Sequence, residues 1–179
     1  MIKNITLEIS APGVLANDTD PDGQALTAVL YKNPTHGTVV LNSNGSFRYT
    51  PNTGYIGSDS FAYKANDGFL LSNVATAYLR VKAPSLLLAN YPNPFNPETW
   101  IPYRLSTDTN VEIMIYSVSG QLVRRLDLGY KSEGSYTQTS ESAYWDGRNE
   151  VGEEVSSGVY FYTIKAGDYT ATRKMLMQK

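Results

Sequence analysis

Thr38-Val39-Val40-Leu41-Asn42-Ser43-Asn44-Gly45-Ser46-Phe47-Arg48-Tyr49-Thr50-Pro51 places two β-rich runs on either side of an Asn-Gly pair. Val and Thr fit a pleated strand, and Asn-Gly tolerates the positive φ that a tight hairpin needs. Side chains alternate along a strand, so Phe47 and Tyr49 fall on one face of the returning arm. The segment reads as a β-hairpin with an aromatic inner face.

The same grammar extends in both directions. Strands are expected at Ile2–Ile9, Ala25–Tyr31, Ser60–Ala65 and Val74–Val81, with Phe61 and Tyr63 sharing a face. Asn33-Pro34-Thr35-His36-Gly37, Pro51–Gly57 and Asn66-Asp67-Gly68 punctuate them as turns. Turn signals every eight to twelve residues with period-two patterning indicate a β-sandwich. Residues Ala83–Asn90 link this half to the next, but Leu86, Leu87 and Leu88 are too apolar for a free linker and should pack on the second half.

The second half opens on Tyr91-Pro92-Asn93-Pro94-Phe95-Asn96-Pro97. Proline lacks the N–H that a central strand needs, so this is a rigid loop at a sheet edge. Strands are expected at Thr99–Leu105, Asn110–Tyr116, Gln121–Leu128, Ser135–Thr139, Val159–Ala166 and Asp168–Met177, with hairpin turns at Ser119-Gly120 and Ala166-Gly167-Asp168. Val111, Ile113 and Ile115 share one face. No window carries a 3.6-residue apolar period, so little or no helix is expected. The fold class is all-β, two consecutive Ig-like β-sandwich domains, residues 1–83 and 84–179.

Composition removes several functions. Of 179 residues none is Cys, which excludes disulfides, zinc-thiolate centres and Cys nucleophiles. Net charge is -2, and residues 1–83 carry six basic and six acidic groups, so no field draws in nucleic acid. No apolar run reaches the length of a transmembrane helix. Met1-Ile2-Lys3-Asn4 is not followed by a signal-peptide core, so Met1 is read as the start of a fragment. A monomer is expected.

Two resemblances rest on particular motifs. Val14-Leu15-Ala16-Asn17-Asp18-Thr19-Asp20-Pro21-Asp22-Gly23, His36-Gly37-Thr38-Val39, Asn44–Pro51, Gly57–Tyr63 and Asn66-Asp67-Gly68 resemble the cadherin-like and Ig-like tandem repeats of bacterial adhesins. Tyr91–Pro97, Ile115-Tyr116 with Gly120, Trp145-Asp146-Gly147, Ser157-Gly158-Val159-Tyr160 and Arg173–Met177 resemble the C-terminal sorting domains of type IX secretion cargo, and more distantly the Ig-like domain of flagellar hook-capping proteins. These resemblances imply a secreted or cell-surface bacterial protein. Its partners would be secretion or anchoring machinery, or neighbouring repeats of the parent protein.

Asp18, Asp20 and Asp22 alternate along a loop, and alternate carboxylates on extended chain can converge on calcium, which takes six to eight oxygen ligands. Asp67 joins the candidate set if the fold brings the loops together. No Glu stands where an EF-hand would need one, and the competing reading makes these residues Asx-turn formers. Calcium is the one cofactor suggested. Trp145 is read as a core plug with its N–H satisfied; Tyr91 and Phe95 are read as sealing a sandwich edge or the domain junction. His36, the sole histidine, sits in a turn without a nucleophile motif. Glu150, Glu153 and Glu154 read as a solvated acidic loop rather than a glycosidase pair. No catalytic residue is assigned. The leading function is a spacer repeat followed by a sorting or anchoring domain; the alternative is a carbohydrate- or protein-binding module, calcium-dependent in one version, accessory to an upstream enzyme.

Overall fold

The computed structural model describes residues 1–179, which fold into two compact units, Met1–Ala83 and Pro84–Lys179. Both units are all-β; the one helical element is a 3-10 turn at Gly13–Leu15.

In the first unit β1 (Leu7–Ile9), β2 (Thr27–Lys32), β3 (Gly37–Leu41), β4 (Phe47–Pro51), β5 (Gly57–Asn66) and β6 (Ala75–Val81) form two antiparallel three-stranded sheets, ordered β1-β4-β3 and β2-β5-β6. Period two explains the layering: Tyr49 from β4, Phe61, Tyr63 and Ala65 from β5, and Leu79 and Val81 from β6 point into one buried cluster. The Asn-Gly turn forms as its sequence requires. Gly45 adopts φ 82°, and a Cβ there would stand 2.0 Å from the Pro12 carbonyl oxygen, so the turn and the chain before the 3-10 turn pack backbone to backbone.

The expected strand Ile2–Ile9 is shorter, confined to Leu7–Ile9. Asn4 takes φ 63°, which turns the chain; before it, Ile2 bridges Lys82 in parallel. Asn is among the few residues that adopt this conformation readily.

The second unit comprises β7 (Leu86–Leu87), β8 (Thr99–Ile101), β9 (Tyr103–Leu105), β10 (Thr109–Ser117), β11 (Leu122–Lys131), β12 (Gly134–Tyr136), β13 (Ala143–Trp145), β14 (Gly158–Ala166) and β15 (Tyr169–Met177). A four-stranded antiparallel sheet, β11-β10-β14-β15, faces two smaller ones, β12-β9-β7 and β13-β8. Val111, Ile113 and Ile115 lie on the inner face of β10, as their spacing requires, with Tyr162, Ile164, Met175 and Met177 beside them. Ala166 and Tyr169 close the β14–β15 hairpin around Gly167-Asp168.

Three expectations change here. Thr99–Leu105 is two strands, because Pro102 cannot donate to a ladder; β8 pairs with β13, whereas β9 pairs with β7 and β12. Ser135–Thr139 shrinks to Gly134–Tyr136. Leu86–Leu87 and Ala143–Trp145 are strands that the sequence did not announce. Leu87 is the anchor of its segment, buried in the second core, whereas Leu86 stays exposed.

Candidate functional site

The acidic loops of the first unit are the places that the sequence marks for a metal. Asp18, Asp20 and Asp67 line one cavity of about 490 Å³ together with Leu70 and Leu71; Asp22 is not part of that lining. The carboxylates are turned to local tasks. Asp20 Oδ1 accepts from the N–H groups of Asp22 (2.9 Å) and Gln24 (3.1 Å). Asp67 Oδ1 accepts from Leu70 and Phe69 N–H, both at 2.6 Å, and these bonds hold its carboxyl below the usual carboxylate range. Asp18 Oδ2 lies 3.0 Å from the Tyr63 hydroxyl. No three acidic or histidine side chains gather into a group able to hold a metal ion. Asp20 and Asp67 thus form Asx-type turns beside an apolar wall, while Asp18 meets a phenol.

A carboxylate that the pattern did not flag lies deeper. Asp59 in β5 is 7% exposed and accepts four hydrogen bonds, from the Tyr49 hydroxyl (2.6 Å) and from the N–H groups of Thr35, His36 and Ser60 (2.9–3.0 Å). Burial by itself would raise its pKa; the four donors outweigh that and hold it below the ordinary Asp value. Burial first, then the bond to Asp59, drives the Tyr49 phenol far above its ordinary pKa. His36 is exposed, stacks on Tyr55 with ring centroids 4.2 Å apart, and serves through its backbone. The period-two pattern gave one clue to Asp59: it shares the inner parity of Phe61 and Tyr63.

In the second unit, four of the five motif pieces singled out in the sequence meet around one cluster. Phe95 is buried, its ring centroid 5.5 Å from that of Trp145, which lies edge-on to Tyr160 at another 5.5 Å. Trp145 is 1% exposed and donates its indole N–H to the Arg148 carbonyl at 2.9 Å, as a core plug should. Gly147 takes φ 72°, and a Cβ there would press on the Pro97 carbonyl oxygen at 2.8 Å and on Met177 Cε at 2.9 Å. The proline-rich segment also grips the outer edge of β15. Phe95 N–H donates to the Leu176 carbonyl (3.1 Å), Gln178 N–H to the Phe95 carbonyl (3.0 Å), and Leu176 N–H to Asn93 Oδ1 (2.9 Å). The fifth piece, Ile115-Tyr116 with Gly120, supplies a core side chain and a hairpin turn elsewhere in the sheet.

The start of the proline-rich segment is fixed by neutral groups. Tyr162 Oη donates to the Leu88 carbonyl at 2.8 Å and accepts Asn90 N–H at 3.0 Å, while Asn90 Nδ2 reaches Thr99 Oγ1 and the Pro92 carbonyl. Sequence reasoning missed Asn90 and Thr99 as buried polar residues; a lone Asn in a leucine-rich link carries no periodic signal. The expectation for the two aromatics divides: Phe95 seals the edge, but Tyr91 is solvent-facing. The acidic loop is fully engaged. Glu150 accepts the Arg125 N–H, Glu153 accepts from Asn149, and Glu154 pairs with Arg148 and Lys179.

Comparison with known families agrees with this architecture. Residues 3–80 match the family model of the bacterial Ig domain, and residues 99–170 that of the FlgD Ig-like domain. A search of curated proteins finds no match. Among solved structures, dimeric latent PorU of Porphyromonas gingivalis aligns with 89% of this chain at 16% identity and a TM-score of 0.41. PorZ of the same organism, described as an essential bacterial surface component of the type-IX secretion system, aligns with 86% at 12% identity and a TM-score of 0.35. The chain spans 17% and 16% of those two proteins. InvD of Yersinia pseudotuberculosis aligns with 98% of the chain at 13% identity, TM-score 0.33, over 53% of its own length. The fold class is thus all-β with two consecutive Ig-like segments, and no helix is long and apolar enough to cross a membrane.

Proposed function

We propose that this chain is a non-catalytic segment of a secreted or cell-surface bacterial protein, in which residues 1–83 act as an adhesin-type spacer repeat and residues 84–179 as a sorting or anchoring domain. One observation carries the reading: Tyr91–Pro97, Trp145–Gly147, Ser157–Tyr160 and the end of β15 converge on a single packed cluster. Pieces scattered over some ninety positions of sequence resemble a sorting domain, and they pack together around the end of the last strand. The motif is in this sense a description of one tertiary structure. A receptor that reads it would read the folded domain.

The acidic loops serve the first domain as turn builders, and the engaged carboxylates of Glu150, Glu153 and Glu154 leave no pair for hydrolysis. The test is export. A periplasmic reporter fused ahead of the full chain, in a host with type IX machinery, should appear at the cell surface or in the medium, while the reporter on residues 1–83 alone stays inside. Retention of the full fusion in the periplasm would overturn the sorting assignment.

A further inference from the structure

Three aromatic residues of the second domain stand in one cross-strand row. Tyr91 bridges Trp100 in antiparallel register, and Trp100 is paired with Tyr144 across β8 and β13. Their inward neighbours Asn90, Thr99, Ile101, Ala143 and Trp145 are buried, so alternation turns all three rings to the solvent face. Tyr91 is 72% exposed and Tyr144 43%. Trp100 and Tyr144 have ring centroids 5.7 Å apart and planes inclined by 48°. With strands spaced about 4.8 Å apart, the row spans on the order of 10 Å.

Cross-strand packing accounts for the Trp100–Tyr144 pair but leaves Tyr91 unexplained, since it buries little of its ring. Exposed tyrosines elsewhere differ. Tyr78 stands opposite Ser60 and Tyr130 opposite Asn110, each without an aromatic partner in register. Two carboxylates stand at the Tyr144 end of the row: Glu98 accepts a hydrogen bond from the Tyr144 hydroxyl, and Asp146 lies near enough to act on the same phenol.

We infer that the Tyr91–Trp100–Tyr144 row is a binding platform for a neutral glycan, on which successive sugar rings lie against the three aromatic faces. An aromatic face carries the negative side of its quadrupole and attracts the polarised C–H groups of a pyranose. Glu98 and Asp146 are acceptors for hydroxyl donors, and they repel phosphate, sulfate and uronate, so a polyanion or nucleic acid is disfavoured. An open face with acceptors at one end suits an extended polysaccharide better than a small molecule, which needs a concave pocket.

The full chain, its Y91A variant and its Y91A/Y144A variant are incubated with insoluble cellulose, chitin and mannan, and with immobilised poly-L-proline as the peptide control. Depletion from solution is measured, and thermal melts show whether the variants fold. Retention on at least one neutral polysaccharide is expected, weakened at least threefold by Tyr91→Ala and at least tenfold by the double change, with melting unchanged. The soluble oligosaccharide of the retained polymer should also shift the Trp fluorescence. Three results would overturn the proposal: no retention on any of the polysaccharides, retention insensitive to both changes in folded protein, or preferential capture by poly-L-proline. Should the double change unfold the protein, Tyr91→Ala decides alone, because that ring touches little of the core. Export of the reporter fusion should be the same with and without Tyr144→Ala, a row residue outside the pieces that resemble a sorting domain, which separates failure here from failure of the sorting assignment.

Discussion

The two domains share an architecture and fasten it by different chemistry. The first buries a smaller cluster, and its most deeply buried side chain, Tyr49, is tied to a charged group, Asp59. Tyr63 repeats the theme, its hydroxyl 2.7 Å from the Val14 carbonyl oxygen and 3.0 Å from the Asp18 carboxylate. The second domain has a larger aliphatic and aromatic core, and its buried polar links among Tyr162, Asn90, Thr99 and Leu88 are neutral. A small core gains rigidity from a buried carboxylate only while every lone pair is used; a large core needs no such group. Mutation and acid should therefore reach the two domains at different points.

The largest effect is expected from Trp145→Ala. It removes the plug between Phe95 and Tyr160 and should cost the second domain about 3–5 kcal/mol. Amide hydrogen exchange should show loss of protection over residues 84–179 alone. If protection in 1–83 falls as well, the domains are not independent folding units. Asp59→Ala should do the converse, at about 3 kcal/mol, since it strands the Tyr49 hydroxyl and three backbone donors. An equal loss in the second domain would break the contrast.

Acid sharpens it further. The folded pKa of Asp59 lies below the unfolded value of about 3.9. Its contribution is therefore complete above that value and lost as pH falls through the depressed folded pKa. The first domain should lose protection first in acid, and Asp59→Asn should remove most of that pH dependence while lowering stability at neutral pH. In the second domain the depressed carboxyl of Glu154 is a surface partner of Lys179, where such pairs contribute little. Alkali should not discriminate. Burial, then Asp18, pushes Tyr63 up to about 12, and burial raises Tyr162 and Tyr160 too. Stabilisation from raised phenols is full below about pH 10 and lost as pH rises through the folded pKa values, in both domains.

Gly147→Ala is a smaller change, about 2 kcal/mol, from the positive φ and the press on Pro97 and Met177. A thermal melt resolves it. The smallest effect is expected from calcium. With Asp20 and Asp67 committed to backbone donors, EDTA and excess calcium should leave the first domain's midpoint unchanged; a rise of several degrees with calcium would restore the four aspartates as ligands.

Legibility in the sequence followed periodicity. Phe61 and Tyr63, or Val111, Ile113 and Ile115, announce their faces because burial recurs at every second residue. Elements of two or three residues, such as Leu86–Leu87 and Ala143–Trp145, are too short to show a period. Pro102 was a visible break in Thr99–Leu105, and its missing N–H is why the chain changes sheets there. The cluster was legible as separate pieces, but nothing local says that Phe95 bonds to the Leu176 carbonyl and the Gln178 N–H. Asp59, Asn90 and Thr99 were hidden for a related reason: what makes them important is a set of partners contributed by distant parts of the chain.

The grip of Asn93 and Phe95 on Leu176 and Gln178 also sets an order of events. The two partners of that contact are more than eighty residues apart, and a chain leaving a ribosome or threading a pore presents Phe95 long before Leu176. Until β15 arrives, Phe95 has no edge to bond and Trp145 lacks its closing wall of Met175 and Met177. The second domain therefore closes last and at once, whereas the first, complete by Ala83, is free to fold while the remainder is still in transit.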